Sequence, residues 1–68
     1  MVMSNEYKEW MKDKAAEVLF ENEVIDRSED VYLEQDEIVV WGIKDGRRVI
    51  YRVWLNEDTE EWKFEKII

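Results

Sequence analysis

The sequence predicts an α+β fold, one N-terminal helix packed on a three- to four-stranded antiparallel β-meander, and three observations predict it. Apolar residues recur at spacings of three and four between Met3 and Leu19, two apolar-rich runs flank Asp45-Gly46, and polar and apolar residues alternate from Glu61 to Glu65. The first pattern is one face of an amphipathic helix, the second a two-residue hairpin, and the third a half-buried strand. Sixty-eight residues suit one small domain, 1–68, which by size scaling buries only about 60% of its unfolded surface.

The helix is expected from Ser4 to about Asn22. Its stripe collects Met3, Tyr7, Trp10, Met11, Ala15, Val18 and Leu19. Ser4 can cap the N-terminus and Glu6 suits the positive end of the helix dipole. Lys14 falls within the stripe, where its stem can lie on the core while the ammonium reaches water. Phe20 falls off the stripe and is expected to pack under the chain leaving the helix, near Val24 or Ile25.

Residues 22–30 lack sustained periodicity and read as the connection from helix to sheet. Val31, Tyr32 and Leu33 give a short strand. A turn at Gln35-Asp36 sets Leu33 opposite Ile38 and Val31 opposite Val40, although Gln-Asp is poor turn chemistry.

The central hairpin follows. With Asp45 and Gly46 as the turn, Lys44 faces Arg47 and Ile43 faces Arg48, and the period of two assigns every side chain to a face. One face collects Ile38, Val40, Gly42, Val49, Tyr51, Val53 and Leu55, and is the expected core beneath the helix. Gly42 on this face lets a large side chain approach the sheet closely. After a turn at Asn56 to Thr59, the last strand adds Trp62 and Phe64 to the core face. Its charges Glu61, Lys63 and Glu65 fall on the other, Glu65 opposite Arg52 in one register, a pattern that discourages edge-to-edge pairing.

Composition restricts the chemistry. The chain has 18 acidic and 10 basic residues, a net charge of −8, with no histidine and no cysteine. Indiscriminate nucleic-acid binding is disfavoured by that charge. Disulfides and the ordinary zinc and haem ligand sets are excluded, and nucleophilic catalysis lacks its usual base. The expectation is no enzyme, no catalytic residues, no cofactor and no metal. Acidic residues cluster at Glu29, Asp30, Glu34, Asp36 and Glu37, and again at Glu57, Asp58, Glu60 and Glu61, but neither cluster has calcium-loop spacing, and both read as solvated turns. The polar N-terminus and the lack of a long apolar run suggest a cytoplasmic protein without a membrane span.

The second face of the hairpin is more informative. It brings together Val39, Trp41, Ile43, Arg48, Ile50, Arg52 and Trp54, joined by Tyr32 if the first strand pairs as above. Aromatic residues beside arginine are enriched at the energetic centres of protein interfaces. One helix cannot cover both faces of a sheet, so this patch is expected to dock on a partner protein, the chain being a small non-enzymatic adaptor or inhibitor. Two other functions compete. The face or a strand edge can make a homodimer, or the acidic segment 23–37 can mimic nucleic-acid phosphates for a DNA-binding protein. The face can also be covered, either by the N-terminal residues or the 22–30 connection, or by its own arginine stems and Lys63 lying over the rings.

Overall fold

The structure is a computed structural model that describes residues 5–35 and 37–68. Helix α1 (Asn5–Glu21) is followed by strands β1 (Arg27–Glu34), β2 (Glu37–Lys44), β3 (Arg47–Asn56) and β4 (Glu61–Lys66), which form one antiparallel sheet in the order β1-β2-β3-β4. This is the expected α+β architecture, with the meander carrying four strands. Met3, the Ser4 cap and Asp36 of the first turn lie outside the described residues.

The helix buries a narrow seam, Met11, Ala15 and Leu19, against Ile25, Ile38, Val40, Val49, Tyr51 and Val53. Spacing of four keeps such residues in one line along a helix. Tyr7 and Trp10, expected in the same stripe, are instead exposed (43% and 49%). Their rings stack on each other at 5.8 Å, and Trp10 leans onto Trp62 of β4 at 6.4 Å, so they rim the core rather than enter it. Lys14 is half-exposed, with its ammonium 3.5 Å from Glu17.

The helix ends in a Schellman arrangement. The Val24 amide donates to the Leu19 carbonyl at 3.2 Å, the Glu23 amide donates to Phe20 at 3.0 Å, and Glu23 takes the left-handed conformation (φ 60°). Two carbonyls of the last turn are thereby satisfied without a glycine. Val24 and Ile25 turn toward the core, but Phe20 stays 60% exposed, a correction to its expected place beneath the exit chain.

The central hairpin has the expected register. Lys44 pairs with Arg47, Ile43 with Arg48 and Val40 with Tyr51. Asp45 (φ 53°) and Gly46 (φ 78°) both adopt the left-handed region that a type I′ turn requires. Leu33 pairs with Ile38 and Val31 with Val40, as expected from a two-residue connection. β1, however, begins at Arg27, inside the stretch expected to be a connection. Its first four residues are exposed and carry no apolar period. The β2 edge recruits them through backbone hydrogen bonds, and a bulge between Ser28 and Asp30 absorbs one extra residue.

The last turn spans Glu57 to Glu60, one residue later than expected, and sets Arg52 opposite Glu65. Asn56 Oδ1 accepts from the Asp58 amide at 3.1 Å, and Glu60 is left-handed (φ 58°). Pairing runs beyond β4, since the Ile67 amide donates to the Ile50 carbonyl at 2.7 Å.

Candidate interface on the open sheet face

The helix lies on the face made by Ile38, Val40, Val49, Tyr51 and Val53, all buried. The register then fixes the opposite, open face as rows running from β1 to β4. One row is Asp30, Trp41, Ile50 and Ile67; the next toward the β1–β2 turn is Tyr32, Val39, Arg52 and Glu65; the next is Glu34, Glu37, Trp54 and Lys63. On the far side of the first row, Ile43 stands opposite Arg48. All seven residues singled out from the sequence therefore share this face.

Tyr32, Trp41 and Ile67 are exposed, and Val39, Ile43, Ile50 and Trp54 half-buried. Cross-strand neighbours shield much of each side chain, leaving an apolar band that runs from β1 across β2 and β3 to Ile67, the residue after β4. Ile67 was not among the expected residues. Its signal was the alternation from Glu61, which at odd positions continues to Ile67.

Ionic contacts flank the band. Arg48 Nε lies 3.7 Å from Glu29 Oε1. On the other side, Arg52 Nη2 donates to Glu65 Oε1 at 3.2 Å, and Nη1 lies 3.9 Å from Glu37 Oε2. The Arg52 guanidinium is 5.8 Å from the centre of the Trp54 ring, and its buried Nε makes no hydrogen bond among the described residues. Arginine thus shields Trp54, separates it from Trp41, and leaves Trp41, Tyr32 and Ile67 as the accessible apolar groups. The 22–26 connection does not cross this face, for Ile25 packs against Gly42 on the core side.

An open groove of about 1170 Å³ lies at the end of the sheet bearing the β1–β2 and β3–β4 turns, with Tyr7, Met11, Leu33, Glu37, Trp54 and Leu55 among its walls. Of the acidic clusters, Glu29, Glu37 and Glu61 hold cations of the open face. Among the described residues no group of three or more acidic side chains is placed to hold a metal ion, and no helix is long and apolar enough to cross a membrane.

Asp26 has a structural role at the opposite end. Its Oδ2 accepts from the Asp45 amide at 2.8 Å, and Lys44 Nζ lies 3.5 Å from Oδ1. The Asp45 hydrogen bond, helped by Lys44 and Arg27, holds the Asp26 carboxyl below its ordinary value of 3.8.

Comparison with known proteins finds no matching protein family, curated protein or solved structure.

Proposed function

We propose that the chain is a small non-enzymatic interaction module that docks its open sheet face on a partner protein. The observation that carries this reading is the one-sided position of the helix, which leaves Tyr32, Trp41 and Ile67 exposed in a continuous band with Val39 and Ile50. A contiguous apolar patch rimmed by polar groups commonly marks an interaction site on a soluble domain. Trp41 is the central anchor, Tyr32 and Ile67 extend the contact to both sheet edges, and Arg48, Arg52 and Trp54 form its margin. Residues of these types, fully desolvated on association, supply most of the binding energy at protein interfaces.

The test is affinity capture with the wild-type chain beside Trp41→Ala and Trp54→Ala. The expected result is a partner retained by the wild type and lost with Trp41→Ala, while the thermal midpoint shows that the variant remains folded. Capture unchanged in both variants overturns the reading.

A further inference from the structure

The charge left uncompensated on the open face identifies the chemistry of its partner. Three cations border the apolar band, and each already has a carboxylate, Arg48 with Glu29, Arg52 with Glu65 and Glu37, and Lys63 with Glu61 at 3.0 Å. Arg27, opposite Ile43 in register, makes no ion pair among the described residues, but it stands at the far end of β1 from Glu34 and borders a small groove beside Ala16, Glu17 and Phe20 of the helix. The acids are not matched in the same way. Among the described residues Asp30 and Glu34 make no ion pair, and Glu34 stands directly opposite Glu37. Like charges facing across two strands are unfavourable, so this edge gains from an added cation.

The unmatched acids alternate with an exposed ring. Asp30, Tyr32 and Glu34 follow one another at alternate positions of β1, and their cross-strand neighbours are Trp41, Val39 and Glu37. The strand repeat places the two carboxylates about 13 Å apart with the ring between them. A cationic side chain laid across Tyr32 meets the negative face of the ring and lies roughly 6–7 Å from each carboxylate, within range of their attraction but in contact with neither. Apolar side chains one strand further on then meet Trp41, Ile50 and Ile67.

We infer that the partner is a polypeptide surface with an apolar patch bordered on one side by lysine or arginine, its basic side seated on the Asp30-Tyr32-Glu34 edge. This rests on the docking role of the open face. A second copy of the chain is a poor occupant, because Arg48, Arg52 and Lys63 are already paired and it would bring the same unmatched acids. An anionic lipid surface is disfavoured by the same charge and by the net −8 of the chain.

The experiment uses a fluorescently labelled amphipathic leucine/lysine helical peptide as probe, with a serine/lysine peptide of equal charge as control, titrated by anisotropy at low salt. The leucine/lysine peptide is expected to bind about tenfold more tightly than its control. Paired neutralisation by Asp30→Asn and Glu34→Gln is expected to weaken it about fivefold, whereas Asp13→Asn with Glu21→Gln, the same charge change on the helix, weakens it less than about twofold. Tyr32→Ala and Trp41→Ala each weaken it, and Ile67→Ser, at a half-exposed position outside β4, reports on the band with little risk to folding.

If the two paired neutralisations act equally while Trp41→Ala and Ile67→Ser still weaken binding, net charge rather than this edge attracts the peptide. The inference then fails and the docking role stands. If neither Trp41→Ala nor Ile67→Ser has an effect, the face is not used and both fail. A dimer in light scattering that dissociates in Trp41→Ala assigns the face to a second copy and overturns the inference.

Discussion

Ile25 packs so closely over Gly42 that a β-carbon added at Gly42 would lie 2.8 Å from Ile25 Cγ2. The same carbon would lie 3.0 Å from the Arg27 carbonyl oxygen. Glycine is used here for space within a strand, and the contact joins the end of the helix connection to the middle of β2. Gly42→Ala is expected to destabilise the fold by about 1–3 kcal/mol through overpacking. Ile25→Ala in the same chain should recover part of that loss, so the two changes are non-additive in a urea-unfolding cycle.

Asp26 ties the start of β1 to the central turn through the Asp45 amide. Its carboxyl is held below the ordinary value of 3.8, chiefly by that hydrogen bond, so the ionised form favours the folded state. The contribution is complete above the unfolded value and is lost as pH falls through the lower folded value. Asp26→Asn should therefore unfold at a lower temperature than wild type at pH 7, and the gap should close as the pH is taken below 3.8. A gap constant down to acid pH would show that the charge contributes nothing.

Glu23 occupies the left-handed position that closes the helix (φ 60°). A side chain there carries strain that glycine lacks, partly offset by the greater freedom of glycine in the unfolded chain. Glu23→Gly is expected to stabilise by about 0.5–1 kcal/mol, seen as a thermal midpoint several degrees higher.

The two sheet faces should respond differently to truncation. Ile38 is fully buried beneath the helix, and Ile38→Ala should cost about 2–5 kcal/mol in chemical unfolding. Trp41, 37% exposed on the open face, should cost less than about 1.5 kcal/mol as Trp41→Ala. A larger loss at Trp41 than at Ile38 would reverse the assignment of faces.

The extent to which these features were legible varied with how local they are. Asp45-Gly46 determined the central register because a two-residue turn demands left-handed backbone, and the period of two then carried face assignments along β2 and β3. The same alternation placed Trp62 and Phe64 on the core side. By contrast, Arg27 to Asp30 has no apolar period, and its strand exists because β2 offers an unpaired edge. Tyr7 and Trp10 obey the helical spacing of Met11, but the finite width of the sheet leaves them at its rim, stacked beside Trp62.

The sequence by itself therefore determined the helix, the register of the central hairpin and the membership of the two faces of that hairpin, since each follows from spacing along one segment or across one turn. Only the tertiary structure decided which face the helix covers and which charges remain unmatched. Those depend on side chains meeting across elements distant in the chain, as Arg48 of β3 meets Glu29 of β1. Such meetings are set by how the strands and helix pack together, which no local periodicity encodes.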